Sequence, residues 1–187
     1  LGYGAWRIPQ VGEGSTARVA VVQGNIPQTE KWDEAFQESI LSRYESLTKA
    51  AAAAQPDLIV WPETSVPALF EPDDALTQRV AGLAKAIGRP LLVGAPALSG
   101  SMGTRALTNS AFLIAGSGAI GARYDKLHLV PFGEFIPAER LFPWLRDVLP
   151  PIGDFAPGSD YTVFHLSSRL KAHLNFGFRI SDFGLRN

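Results

Sequence analysis

The stretch Asp57-Leu58-Ile59-Val60-Trp61-Pro62-Glu63-Thr64 decides how the chain is read. Leu58 to Trp61 is an unbroken apolar run, which marks a strand buried on both faces rather than an alternating, half-exposed one. Upstream, Phe36, Ile40, Tyr44 and Leu47 recur at helical spacing, and Ala50 to Ala54 continue the pattern. A helix is therefore expected from about Asp33 to Ala54, stopped by Gln55-Pro56, because a proline pushes the preceding residue out of the α region. Before it, Arg18 to Gln23 is a short β-branched run ended by Gly24, a further strand signal. Downstream, Asp73 or Asp74 can cap a helix that reaches Ile87, with Gly88 as its stop, and a strand follows from Pro90 to Ala95.

This order of buried strands and intervening helices implies an α/β layered sheet. Thr108 to Ala115 and Ile120 to Tyr124 read as two strands joined by the turn Gly116-Ser117-Gly118. Asp125 to Pro137 reads as a long loop, and 138–160 is proline-rich with a short helix over Glu139 to Val148. Tyr161 to Leu166 reads as one more strand. No domain boundary interrupts 18–166. Residues 1–17 are glycine-rich and polar and read as a linker.

The composition sets the outer limits. The chain has 187 residues, 46% of them hydrophobic, which suits a packed core and excludes disorder as the main state. Lys+Arg 17 against Asp+Glu 18 gives a net charge of −1, so no nucleic-acid partner is expected. Cysteine is 0, which removes disulfides, thiolate metal sites and any cysteine nucleophile from these residues. No apolar run reaches the roughly 18 residues that would cross a bilayer. The opening Leu1-Gly2-Tyr3-Gly4, without an initiator Met, reads as the middle of a longer protein.

Three charged residues stand where chemistry could occur. Glu63 follows a buried strand, and ligands of α/β sheets gather beyond the carboxyl ends of strands. Beside Trp61 and Pro62 its carboxylate is expected to be partly desolvated, which suits a general base. On position alone a surface glutamate in a turn fits too. Lys126, in Tyr124-Asp125-Lys126-Leu127-His128-Leu129-Val130-Pro131, could stabilise a developing oxyanion, or snorkel to the surface. Glu134, in Phe132-Gly133-Glu134-Phe135-Ile136-Pro137, needs a partner if its apolar flanks bury it, and otherwise sits on a solvated loop tip. His128 fits a hydrogen-bonded loop histidine better than a catalyst.

The segments Val21-Val22-Gln23-Gly24-Asn25-Ile26-Pro27-Gln28, Lys31-Trp32-Asp33-Glu34, Trp61-Pro62-Glu63-Thr64 and Lys126 to Pro137 occur in that order. Together they resemble the nitrilase-like (carbon–nitrogen hydrolase) domain of the apolipoprotein N-acyltransferases, over roughly residues 5–166. Pro-Glu and Lys-x-His-Leu point to the nitrilase superfamily in general. Gln-Gly-Asn-Ile-Pro-Gln and Val-Pro-Phe-Gly-Glu-Phe-Ile-Pro are more specific to the acyltransferase branch. Phe155-Ala156-Pro157-Gly158 also looks like the family's approach to its next strand.

The resemblance implies a four-layer α-β-β-α sandwich, incomplete here at the C-terminal end, with a Glu, Lys and Cys triad. It implies Glu63 as general base and Lys126 as oxyanion-stabilising lysine. Glu134 would support Lys126 and the intermediate, and Trp32 would be an aromatic near the substrate entrance. The implied reaction passes an acyl chain from a phospholipid through a cysteine thioester to the amine of an apolipoprotein's diacylglyceryl-cysteine. No metal or organic cofactor is implied. The parent protein would be held by transmembrane helices in the bacterial inner membrane, with this domain on the periplasmic face. Residues 1–17 would then follow a membrane helix, and 18–170 would be a partial carbon–nitrogen hydrolase domain.

The resemblance lapses where the nucleophile belongs. The family's cysteine is expected near Gly177, but the text there is Asn175-Phe176-Gly177-Phe178-Arg179. Phe176-Gly177-Phe178-Arg179 and Phe183-Gly184-Leu185-Arg186 nearly repeat, with neither strand nor helix periodicity. Ser167 and Ser168 are the nearest hydroxyls, and serine is a poor nucleophile without a dedicated base. A break in the reading frame near residue 170, with 171–187 as foreign sequence, accounts for this most economically. Two other readings stay open: a nitrilase-type amidase acting on a small amide, and a non-catalytic lipid- or lipopeptide-binding module.

Overall fold

The computed structural model describes residues 17–100, 105–136 and 154–166, together with Trp6. The expected linker, the helix over Glu139 to Val148, Ser167, Ser168 and the stretch 171–187 lie outside the described residues or almost wholly so.

The described residues build one five-stranded sheet in the order β1-β2-β3-β4-β5. The strands are β1 (Val19–Val21), β2 (Leu58–Val60), β3 (Leu91–Ser99), β4 (Ala106–Ile114) and β5 (Ile120–Asp125). Helix α1 (Gln37–Ala52) lies between β1 and β2, and α2 (Ala75–Ile87) lies between β2 and β3. The first three strands run parallel, and β4 and β5 each return antiparallel. β2 and β5 therefore point the same way, and their carboxyl ends meet at one end of the sheet.

Local chemistry sets the helix ends. Asp74 accepts from the backbone amides of Leu76 at 2.8 Å and Thr77 at 3.1 Å, so it is the cap of α2 rather than Asp73. Gly88 ends α2 at φ 62°, a left-handed conformation that suits a residue without a β-carbon. Asp33 caps a short 3-10 turn (Glu34–Phe36) that leads into α1.

Alternation along the strands sorts the two sheet faces. Ile59, Trp61, Leu91, Val93, Ala95, Phe112 and Ile114 are buried in one cluster with Ile40, Leu41, Tyr44, Val80 and Ala84 of the helices. Each fully buried Leu, Ile or Val there is worth about 1.5–3 kcal/mol relative to exposure. The other face carries Leu58 and Leu113, packed with Phe164 and Leu166 and flanked by Val60, Leu92, Ala111 and Tyr124. On that face Val21 is 75% exposed.

Two sequence expectations are corrected here. β3 does not stop at Ala95. It runs to Ser99, because it pairs with β4 without interruption from Leu91↔Ile114 to Ser99↔Ala106. Pro96 has no amide to give the ladder, but its carbonyl accepts from the Phe70 amide at 2.8 Å. Tyr161 to Leu166 is not one of the five named strands of the sheet and holds a single β-bridge residue, Phe164. It touches β5 through the Thr162 hydroxyl, which donates to the Arg123 carbonyl at 2.8 Å, and it lays Phe164 and Leu166 across the sheet face.

Candidate active site

The sheet end formed by β2 and β5 gathers the charged residues singled out in the sequence. Glu63 follows β2, and Lys126 follows β5. The Lys126 Nζ lies 2.9 Å from Glu63 Oε1 and 2.9 Å from Glu134 Oε2. Two carboxylates, one 63 residues from Lys126 in the chain and the other 8, thus converge on its ammonium.

The approach of Glu63 depends on Gly94 in β3. A β-carbon at Gly94 would lie 2.5 Å from the Pro62 carbonyl oxygen and 2.8 Å from Glu63 Cα. The Gly94 carbonyl also accepts from the Ser65 amide at 2.8 Å and the Val66 amide at 3.2 Å. Thr64 bends between them at φ 47°, an uncommon value for a β-branched residue.

Trp61 does not desolvate Glu63, contrary to the sequence expectation. Its indole turns under the sheet, stacks on Tyr44 with ring centroids 4.9 Å apart, and donates to Thr48 Oγ1 at 2.8 Å. The Glu63 side chain is 60% exposed. The chain turns after Trp61, with Thr64 at φ 47°, so the indole stays in the core while the carboxylate is left exposed.

Glu134 is the better buried carboxylate, with its side chain 13% exposed. It sits in a tight loop in which the Val130 carbonyl accepts from the amides of Gly133 at 3.2 Å and Glu134 at 2.9 Å. The Val130 amide in turn donates to Glu134 Oε2 at 2.8 Å. Burial alone would raise the Glu134 pKa. The Val130 amide, the Asn109 amide and the Lys126 ammonium outweigh it and hold the carboxyl below its ordinary value. Burial likewise opposes charge on Lys126, but its bonds to Glu63 and Glu134 prevail and raise it.

Residues 155–158 lock this loop in place. The Phe155 amide donates to the Glu134 carbonyl at 3.1 Å, and the Gly158 amide donates to the Lys126 carbonyl at 2.9 Å. Gly158 has to be glycine-like, because a β-carbon there would lie 2.4 Å from the Asp125 carbonyl oxygen.

Trp32 stands at the rim, 52% exposed. With Glu63, Lys126, Glu134, Val130 and Phe155 it lines an open cleft of about 570 Å³. Beside it, Lys31 Nζ lies 5.9 Å from the Trp32 ring centroid and donates to the Glu63 carbonyl at 3.3 Å. Burial lowers the Lys31 pKa, against the opposing pull of Glu63. A second hollow of about 400 Å³, walled by Leu92, Ala111, Tyr124 and Phe164, opens from Lys126 over the apolar sheet face. His128 is exposed and outside the cluster. Among the described residues no group of three or more His, Asp or Glu is placed to hold a metal ion.

One residue of the cluster escaped the sequence reading. Asn109 of β4 is 6% exposed, and its Nδ2 donates to Glu63 Oε1 at 2.5 Å and Glu134 Oε1 at 2.7 Å. The signal was available: asparagine is disfavoured in strands, and a buried amide needs partners.

The carbon–nitrogen hydrolase family model matches residues 18–175. The chain belongs to the carbon–nitrogen hydrolase family. It is 41% identical over 160 residues to the apolipoprotein N-acyltransferase of Geobacter metallireducens, covering 85% of this chain and 31% of that protein. It is 35% identical over 172 residues to the apolipoprotein N-acyltransferase of Brucella suis, covering 85% of this chain and 32% of that protein. The chain thus spans about a third of the length of these curated relatives. Among solved structures it is similar to a mutant of the Nesterenkonia AN1 amidase from the nitrilase superfamily. The TM-score is 0.56 at 22% identity, over 83% of this chain and 53% of that one. An N-terminal amidase with a Gln-Gly peptide gives a TM-score of 0.52 at 16% identity, over 79% of this chain and 32% of that one. These likenesses establish the α/β nitrilase-type fold. Among the described residues no helix is long and apolar enough to cross a membrane.

Proposed function

We propose that this chain is the base- and lysine-bearing part of a lipoprotein N-acyltransferase domain. The observation that carries the reading is the convergence of Glu63 and Glu134 on Lys126 at the mouth of an open cleft. It falls in the segment that is similar to enzymes named apolipoprotein N-acyltransferase.

In this reading Glu63 takes the proton of a cysteine thiol, and the thiolate attacks the ester carbonyl of a phospholipid. Lys126 faces the oxyanion of the tetrahedral intermediate. The protonated Glu63 gives its proton to the departing lysophospholipid alkoxide, and a thioester remains. The amine of a diacylglyceryl-cysteine then attacks the thioester, gives up a proton, and releases the thiol. Glu134 keeps Lys126 charged and aimed, and Trp32 borders the acyl entrance. The parent protein acts at the bacterial inner membrane, with this domain on the periplasmic face. The chain itself has no cysteine, so it forms no thioester and is inactive alone.

A chimera tests the assignment of Glu63 and Lys126. Residues 18–166 replace the matching segment of the Geobacter metallireducens enzyme, which keeps its own remaining sequence. The chimera is expected to N-acylate a diacylglyceryl-cysteine peptide from a phospholipid donor. Glu63→Gln and Lys126→Met in the chimera should each lower the rate by about 100-fold or more. Full activity in either variant refutes the assignment. The unaltered 187-residue chain should give no acyl-protein adduct with the same donor, and an adduct would refute its inactivity.

A further inference from the structure

The cluster holds more negative than positive charge, since Lys126 alone faces both Glu63 and Glu134. Lys31 hydrogen-bonds the Glu63 backbone carbonyl, not its carboxylate, which it meets only through space. Asp125 points to the opposite sheet face, where Arg123 and Ser110 bond to it, each at 2.6 Å. The remaining partner is neutral. Asn109 Nδ2 has two N–H groups and gives one to each carboxylate. Lys126 Nζ bonds the same two oxygens, at 2.9 Å for Glu63 Oε1 and 3.0 Å for Glu134 Oε1. The four side chains close a ring in which each of those oxygens accepts once from the ammonium and once from the amide.

We propose that Asn109 is a positioning residue, whose amide holds Glu63 and Glu134 together on Lys126. Its significance for acyl transfer rests on the function proposed above, whereas its geometry does not. The backbone fixes it well: Asn109 pairs with Pro96 in the β3–β4 ladder, and its carbonyl accepts from the Lys126 amide at 2.8 Å. Two like charges sharing one counter-charge repel, and a double donor between them offsets that without adding a titrating group. Without the amide Glu63 is the one to drift. It is 60% exposed, while Glu134 is 13% exposed and tied to the Val130 amide.

NMR of the full chain, labelled with ¹³C at glutamate carboxyls and ¹⁵N at asparagine, tests this. In the unaltered protein both Asn109 Nδ2 protons should shift together as Glu134 takes up a proton. In Asn109→Leu, which is of similar size and has no donor, the Glu134 midpoint should rise by about one pH unit. A role in packing alone would lower the melting temperature and leave that midpoint unmoved. Asn109 protons that ignore the Glu134 titration would overturn the proposal, and so would an unmoved midpoint in a folded variant. The titration of the unaltered chain decides the matter even if the variant does not fold. Because no acyl transfer is measured, a failure here is separate from a failure of the chimera.

Discussion

Glu63 lies directly over Gly94, its Cα 2.8 Å from where a β-carbon on Gly94 would sit. The contact is between two backbones, so neither side can yield by rotating a side chain. Gly94→Ala should therefore cost about 1–3 kcal/mol, as overpacking does, and push Glu63 off Lys126. The Lys126 ammonium would then titrate closer to an ordinary lysine, because Glu63 is one of the two groups that raise it. Gly82→Ala is the control: nothing lies within 4 Å of its would-be β-carbon in α2, so it should stabilise by about 0.5–1 kcal/mol. Urea melts and ¹³C titration of the lysine side chains check both. A Gly94→Ala protein with an unchanged Lys126 titration would show that the close approach does not position Glu63.

Stability should fall at both ends of the pH scale through this cluster. The Glu134 pKa is lower folded than unfolded. Its contribution is complete above the ordinary glutamate value, about 4.3, and is lost as pH falls through the lower folded value. The Lys126 pKa is higher folded than unfolded. Its contribution is complete below the ordinary lysine value, about 10.4, and is lost as pH rises through the higher folded value. Lys126→Met should flatten the alkaline limb and raise the Glu134 midpoint, leaving two carboxylates with no cation between them. Glu134→Gln should flatten much of the acid limb. Urea midpoints measured across the pH range would expose an error if the Lys126→Met curve kept its alkaline slope.

The parts of the fold and site that were legible in the sequence share a cause. The strand–helix alternation up to Ile87, the stop at Gly88 and the β4–β5 hairpin all follow from local periodicity and turn chemistry. Glu63 was a candidate because it follows a buried strand, and Lys126 and Glu134 because each charge sits among apolar neighbours. What escaped depends on contacts between distant segments. Asn109 looks like an ordinary strand residue until Glu63 and Glu134 are placed beside it. Pro96 looks like a strand end until the full β3–β4 ladder is seen. Phe155 to Gly158 resembled the lead-in to a strand, yet its amides clamp the backbones of Glu134 and Lys126. Residues Tyr161 to Leu166 carry a strand-like composition but meet β5 through a hydroxyl.

Arg79 joins the two helices and gives a test away from the cleft. Its Nε lies 2.5 Å from Glu45 Oε1 and its Nη1 lies 2.6 Å from Glu38 Oε2, so α2 is tied to two turns of α1. Nη2 also donates to Ser42 Oγ at 3.2 Å. A network with good geometry exceeds an isolated surface pair, and Arg79→Ala should cost about 1 kcal/mol at low salt. Glu45→Gln should cost more than Glu38→Gln, because the Glu45 side chain is 17% exposed and that of Glu38 is 72% exposed. Chemical denaturation at two salt concentrations measures this. An equal cost for the two glutamates would mean that burial does not decide the strength of these bonds.

Trp61 tests how the core and the cleft divide at the end of β2. The residue is 3% exposed, its ring is stacked on Tyr44, and its N–H reaches the buried Thr48 hydroxyl. Trp61→Phe removes ring volume and that hydrogen bond together, so a loss of about 2–3 kcal/mol is expected. The Glu63 carboxylate lies outside this core, so the Lys126 and Glu134 titrations should not change. This outcome opposes the one expected if the indole desolvated Glu63, in which case removing it would disturb the cluster. Urea denaturation gives the stability, and carboxyl and ammonium NMR titrations of the same variant give the cluster. A stable Trp61→Phe protein with a shifted Glu134 midpoint would place the indole in the site rather than beneath it.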